Sequence, residues 1–238
     1  MLTEKQITEL KGRIASVRSQ VAEAAKNAGR EPSEITLVGV SKFFPADYAL
    51  NACQNGLIDL GENRVQEMLE KYDYLQDHNV VPRWHLIGTL QKNKVKYIIG
   101  KTHLIHSIDS RSLLEEISKR SSKADVMTDV LLQVNISGET SKHGFSSAEI
   151  ISSIDELLLL PGVRLRGLMT MAPLTDNPDN TLPVFDSARE LLVTLQKSAS
   201  TDVFNILSMG MSQDYRQAIS CGATHVRIGT AIFGPRNF

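Results

Sequence analysis

The sequence predicts an α/β fold, a single (β/α)8 TIM-type barrel with an extra N-terminal helix. Three observations carry that expectation. Short apolar, β-branched runs alternate with amphipathic helical segments along the whole chain, with no linker and no second composition class, which calls for a parallel sheet in one domain. Eight such units fit in 238 residues, close to the typical barrel of about 250. The residues able to do chemistry (Lys42, Glu62, Asn63, His85, Asn135, Thr170, Ser208, Arg227, Gly229 and Thr230) fall at the C-terminal ends of the strand segments. A barrel gathers those ends on one rim, where its sites form. An open doubly wound sheet, the alternative, spreads them along a line. The domain expected is 1–238, with the N-terminal helix in 1–30 and the barrel in 35–234.

The elements follow in order. Residues 3–28 place Ile7, Leu10, Ile14, Val17, Val21, Ala24 and Ala28 on one helical face, with Thr3 and Gln6 as a capping box and Gly29 as the stop. Ile35 to Lys42 is an apolar strand ending in a lysine. Pro45 opens a helix through Cys53, stopped by Gly56. Leu57 to Asn63 is a strand, Arg64 to Leu75 a helix, Arg83 to Gly88 a strand and Gln91 to Ile99 a helix ended by Gly100. The strand His103 to Ile108 leads to a helix capped by Ser110 and reaching about Ser121. Val126 to Asn135 is the fifth strand, Ser146 to Leu160 a helix closed by Pro161-Gly162, and Val163 to Met171 the sixth strand. Prolines and Asp/Asn make 173–183 a loop before the helix Leu182 to Ala199. Asn205 to Ser208, a helix from Ser212 to Ser220 ended by Gly222, and the strand His225 to Ile228 complete the set.

Composition bounds the partners. Apolar residues make up 42% and charged residues 22%, with a formal net charge of -1, so no overall field favours nucleic acid or anionic lipid. No apolar run approaches a membrane span, and the first residues lack the apolar core of a signal peptide. Cys53 and Cys221 stand in unrelated segments and suggest neither a disulfide framework nor a zinc site. A reducing cytoplasm is the expected compartment. Lys92, Lys94 and Lys96 read as a solvated helix face. His85, His103, His106, His143 and His225 lack metal spacing and read as structural histidines, and Met169, Met171, Met209 and Met211 as rim or core packing.

Two features point to chemistry. Lys42 closes the first strand, where a desolvated amine is a nucleophile for aldehydes. The segments Ser208-Met209-Gly210-Met211-Ser212 and Arg227-Ile228-Gly229-Thr230 are small, hydroxyl-bearing glycine loops after strands seven and eight. Barrels bind phosphate there, and backbone N–H groups at a helix start favour an anion. A phosphate cup opposite a strand-end lysine suits a phosphorylated carbonyl compound, either pyridoxal phosphate (PLP) or a sugar phosphate imine of the class I aldolase kind. Spacing does not separate the two.

The segments Val40-Ser41-Lys42, Gly61 to Glu67, Trp84 to Lys94, Gln133-Val134-Asn135, Ser141 to Gly144, Gly167-Leu168-Met169, Leu207 to Ser212 and Val226 to Gly234 resemble, in order and over nearly the whole chain, the pyridoxal phosphate homeostasis protein family. That resemblance implies the barrel of the alanine racemase N-terminal domain, PLP as cofactor and a part in vitamin B6 homeostasis without an established reaction. It makes Lys42 the Schiff-base lysine, and Ser208, Gly229 and Thr230 phosphate ligands with Met209 or Gly210 nearby. Arg227 becomes the arginine facing the pyridine nitrogen, and Asn63 and His85 residues lining the ring. Phe43-Phe44 and Thr89 depart from the family's usual residues, with consequences for pocket access rather than for the lysine or the cup.

Two classes of function then compete, a PLP carrier or buffer and an amino-acid racemase. Racemisation needs acid/base groups on both faces of the α-carbon. In alanine racemases the second is a tyrosine from an added C-terminal domain. This sequence stops at Phe238, and Tyr48, Tyr72, Tyr74, Tyr97 and Tyr215 fall mostly in helices. The binding protein is the favoured expectation, with PLP and PLP-dependent apoenzymes as partners, no nucleic acid, no membrane, and a monomer.

Overall fold

The computed structural model describes residues 1–138, 143–199 and 203–235. Ser141 and Lys142 of the family-like segments lie outside the described residues, as does the C-terminal Phe238. The strands are β1 Thr36–Val40, β2 Asp59–Glu62, β3 Arg83–Leu86, β4 Leu104–Ile108, β5 Thr128–Gln133, β6 Val163–Met169, β7 Ile206–Ser208 and β8 His225–Ile228. They close into a barrel in sequence order, every neighbouring pair parallel. The helices are α1 Glu4–Asn27, α2 Ala46–Gln54, α3 Val65–Asp77, α4 Arg111–Lys123, α5 Ser147–Leu158, α6 Leu182–Ala199, α7 Tyr215–Ser220 and α8 Thr230–Phe233. The (β/α)8 expectation is met.

The extra helix α1 begins on the expected capping box: Thr3 Oγ1 accepts from Gln6 N at 3.3 Å and Gln6 Oε1 accepts from Thr3 N at 2.9 Å. Its buried stripe, Leu10, Ile14, Val17 and Val21, packs toward α7, α8 and α2. Arg13 Nε reaches the Ile232 carbonyl at 2.7 Å, so α1 holds the short helix that closes the barrel.

Three local expectations shift. The segment after β3 is a 3-10 helix, Lys92–Tyr97, because its buried residues Val95 and Ile98 stand three apart, the eclipsed spacing of that helix. Ser110 holds the N-cap place of α4, but its side chain makes no capping bond. The helix expected from Ser212 starts only at Tyr215, because Asp214 Oδ1 takes the Met211 N–H at 2.6 Å and ties 211–214 into a turn. Within the loop 173–183, Pro178–Thr181 forms a further 3-10 helix.

Side chains alternate across the barrel wall. Outward residues such as Leu60, Trp84, Leu86, Ile105, Leu132, Leu168, Val226 and Ile228 join the core between sheet and helices. The inward set is unusual. Leu104, Leu131, Met169 and Ile206 form one apolar group, but Asp59, His85, His106, Ser208, His225 and Arg227 share the interior where branched apolar layers are the rule.

Candidate functional site

A cavity of about 680 Å³ opens at the C-terminal rim, a size suited to a small ligand. Val40 from β1, Lys42 two residues past its end, Asn63 after β2, Ile87 after β3, the 171–175 segment, the 211–214 turn, Arg227 on β8 and Gly229-Thr230-Ala231 line it. Residues from opposite ends of the chain meet because β1 and β8 are barrel neighbours, with Val38 opposite Arg227 and Gly39 opposite Ile228. A Cβ on Gly229 would stand 3.2 Å from the Val40 carbonyl, so the small residue lets the two strand ends close up beside Lys42.

Lys42 is held from both sides along the backbone. Ser41, fully buried, donates through Oγ to Glu62 Oε1 at 2.6 Å, and its carbonyl accepts from Lys71 Nζ at 2.7 Å. Lys71 also meets Glu62 Oε1 at 2.5 Å. On the other side Phe43 takes a left-handed backbone (φ 70°), unusual for a large side chain. Its N–H donates to Glu67 Oε2 at 3.1 Å. Two carboxylates and a buried ammonium therefore clamp the residues flanking the strand-end lysine.

Arg227 is 5% exposed. Its Nη1 donates to Ser208 Oγ at 2.6 Å and its Nη2 to the Thr170 carbonyl at 3.0 Å. Burial pushes its pKa down to about 10, with Asp214 pulling the other way, so it remains a cation at neutral pH. Burial raises the Asp214 carboxyl above its usual range, and the bond from the Met211 N–H opposes that rise.

The anion end of the cavity differs in detail from the sequence expectation. Gly229 caps α8, and Ile232 N and Phe233 N both return to its carbonyl, which leaves the first-turn N–H groups of Thr230 and Ala231 outside the helical bonding. Thr230 and Gly229 line the cavity as expected. Ser208, Met209 and Gly210 do not appear on its wall. Ser208 is the last ladder residue of β7, and its hydroxyl is taken by Arg227 and His106. Met209 is fully buried in the core between sheet and helices. Gly210 (φ 89°) lies under Tyr215 and Ala218. The next residues, Met211 to Asp214, face the cavity instead, and Ser212 brings the hydroxyl.

Asn63 lines the cavity, but His85 does not. His85 sits deeper, fully buried, with Nε2 3.0 Å from Asp59 Oδ1 and Nδ1 2.9 Å from His106 Nε2. The histidines scattered in sequence converge: the ring centroid of His85 is 5.5 Å from that of His103, 5.1 Å from His106 and 6.0 Å from His225. Among the described residues no group of His, Cys, Asp and Glu is placed to hold a metal ion. Sequence reasoning also missed Lys71. Its signal was the spacing Met68, Lys71, Leu75, which puts a lysine on the buried stripe of α3.

The family described as "Alanine racemase, N-terminal domain" matches residues 15–237. The pyridoxal phosphate homeostasis protein of Aquifex aeolicus is 42% identical over 226 residues, covering 95% of this chain and 98% of its own. PipY of Synechococcus elongatus, solved with PLP bound, is 35% identical with a TM-score of 0.84, over 94% of this chain and all of its own. A protein of unknown role from Bifidobacterium adolescentis superposes with a TM-score of 0.93 at 32% identity, over 98% of each chain.

Proposed function

The chain belongs to the pyridoxal phosphate homeostasis protein family, and from that membership we propose that it binds PLP in the rim cavity and releases it without productive turnover. The observation that carries this reading is that Lys42, Arg227 and the start of α8 line one cavity. When bound, PLP supplies an aldehyde that condenses with a primary amine, with loss of water. Lys42 offers that amine. The Thr230 hydroxyl, the N–H groups at the start of α8 and the Ser212 hydroxyl suit a phosphate. Arg227 would face the ring nitrogen, and a guanidinium has donors only, so a proton on that nitrogen is disfavoured. Asn63 would stand beside the ring. Ser208, Met209, Gly210 and His85 support the site from behind.

The phosphate assignment has a direct test. Thr230→Val removes one hydroxyl donor at nearly constant size. A hydrogen bond to a charged group is worth about 1.5–3 kcal/mol, roughly tenfold or more in affinity. PLP should therefore bind about tenfold more weakly, while pyridoxal, which lacks the phosphate, should bind as before. Equal weakening of both ligands would argue against a phosphate contact.

Absence of turnover is the second expectation. Among the described residues lining the cavity, Lys42 and Asp214 are the groups able to exchange protons, and Asp214 is engaged with the Met211 N–H. No tyrosine lines it. In D2O, α-deuterium incorporation into a panel of amino acids should stay far below about 1 per second, the low end of enzymatic rates. Lys42-dependent exchange at roughly 1–1000 per second, the range of enzymes, would instead establish a racemase-like activity. PLP-dependent apoenzymes are the recipients this reading supplies, and a cytoplasmic monomer is the form that would serve them. Among the described residues no helix is long and apolar enough to cross a membrane.

A further inference from the structure

The geometry points to a proton-ordered relay through the barrel interior, Arg227–Ser208–His106–His85–Asp59, in which the residues behind Arg227 are positioning residues that set its donors toward the cofactor ring. The inference rests on the placement of Arg227 proposed above and deepens it.

The chain of contacts is continuous. Arg227 Nη1 to Ser208 Oγ is 2.6 Å, Ser208 Oγ to His106 Nδ1 2.8 Å, His106 Nε2 to His85 Nδ1 2.9 Å, and His85 Nε2 to Asp59 Oδ1 3.0 Å. Its two ends fix the direction. A guanidinium only donates, and a carboxylate only accepts. The Asp59 carboxylate also accepts from Arg83 Nη2 at 2.5 Å, and Arg83 is about half exposed at the opposite face of the barrel. Burial works against the charge on Asp59, but the bonds from His85 and Arg83 outweigh it and hold the carboxyl below its ordinary value.

From that end each proton has one place. His85 must donate from Nε2 to Asp59. A neutral His85 then accepts at Nδ1, so His106 must donate from Nε2. A neutral His106 accepts at Nδ1, so the Ser208 hydroxyl donates to it and accepts from Arg227. Both rings are fully buried, and burial disfavours the imidazolium form. His85, His106, His103 and His225 crowd one another between Arg227 and Arg83; at His106 burial and every neighbouring charge oppose an imidazolium, and at His85 burial outweighs the pull of the Asp59 carboxylate, so both rings stay neutral. The Ser208 hydroxyl, with its proton committed to His106, presents a lone pair to Nη1. With Nη2 on the Thr170 carbonyl, the guanidinium plane is set from two directions. A set of neutral, one-way hydrogen bonds replaces the apolar filling of a barrel because it orients a cation that the pocket needs in one pose.

Two measurements test it. In protein labelled with 15N at histidine, His85 and His106 should each carry the proton on Nε2, with Nδ1 bare, unchanged from about pH 6 to pH 8 around the ordinary histidine value. A proton on Nδ1 of either, or titration in that range, overturns the relay. The second is calorimetric binding of PLP and of its benzene analogue, in which C–H replaces the ring nitrogen. Asp59→Asn, which lets the tautomers reverse, should weaken PLP about tenfold and leave the analogue unchanged. Equal weakening of both means a merely structural role and overturns the proposal. Arg227→Gln serves as reference. If it weakens both ligands alike, the placement of Arg227 at the ring nitrogen falls and the relay's role falls with it. If its loss is selective for PLP and that of Asp59→Asn is not, the relay alone is wrong. Should Asp59→Asn not fold, the tautomers of the unaltered protein decide.

Discussion

Lys42→Ala abolishes the borohydride-reducible attachment of PLP to this protein, and no other lysine takes its place. Lys42 alone among the lysines lines the rim cavity of the described residues. Lys71 is the nearest alternative in the chain's architecture, but its ammonium is buried between the Ser41 carbonyl and Glu62 and lies on the outer side of the barrel wall. A protonated, hydrogen-bonded amine is no nucleophile. Lys92, Lys94 and Lys96 stand on the 3-10 helix after β3 and do not line the cavity. The check is borohydride reduction in the presence of PLP followed by peptide mass mapping. The unaltered protein should carry one adduct on Lys42, and Lys42→Ala none, while retaining weaker, reversible binding through Arg227 and the start of α8. A stoichiometric adduct on another lysine in the variant would refute the assignment. Because the clamp engages Ser41 and the Phe43 N–H rather than the Lys42 side chain, the substitution should leave Tm nearly unchanged.

The architecture was legible because it is written in local periodicity. The alternation of strand and helix patterns, the capping box at Thr3 and the glycine stops all act within a few residues. The convergence of Lys42, Asn63, Arg227, Gly229 and Thr230 followed from one topological rule, that strand ends meet on one rim. What escaped depends on where a ladder stops and on which strands close the ring. Ser208 and Ser212 sit in one glycine-rich loop, and nothing local tells which of the two hydroxyls faces the cavity. The three residues of β7 end on Ser208, which turns its hydroxyl toward His106, 102 positions earlier in the chain. His85 and His106 are 21 residues apart and carry no spacing signal, yet neighbouring strands press their rings together. Lys71 was hidden by a sound rule, that lysines lie at the surface. Its exception required knowing that Glu62 turns outward from the barrel to meet it.

That exception has a large energetic consequence. Lys71→Met should destabilise the protein by about 3–5 kcal/mol, the usual cost of removing one partner of a buried ion pair. For a chain of this length that is a fall in Tm of roughly 6–20 °C. Glu62 is fully buried, and its Oε2 already lacks a hydrogen-bond partner. Without Lys71 the carboxylate keeps only the Ser41 hydroxyl, and the Ser41 carbonyl loses its donor. The pH dependence identifies the mechanism. In the intact protein burial raises the Glu62 pKa above its ordinary 4.5 while Lys71 pulls it down. Removing Lys71 raises it further. A carboxyl with a raised folded-state pKa binds its proton more tightly when folded, so stability falls as pH rises from the unfolded value through the folded one. The penalty of Lys71→Met should therefore be smaller at about pH 5 than at pH 8, and Glu62→Gln added to Lys71→Met should recover part of it and flatten the pH dependence. Urea unfolding of the three proteins at both pH values gives the comparison. A loss below about 1 kcal/mol, the range of exposed pairs, or a penalty independent of pH, would show that the Lys71–Glu62 pair does not brace the backbone on which Lys42 stands.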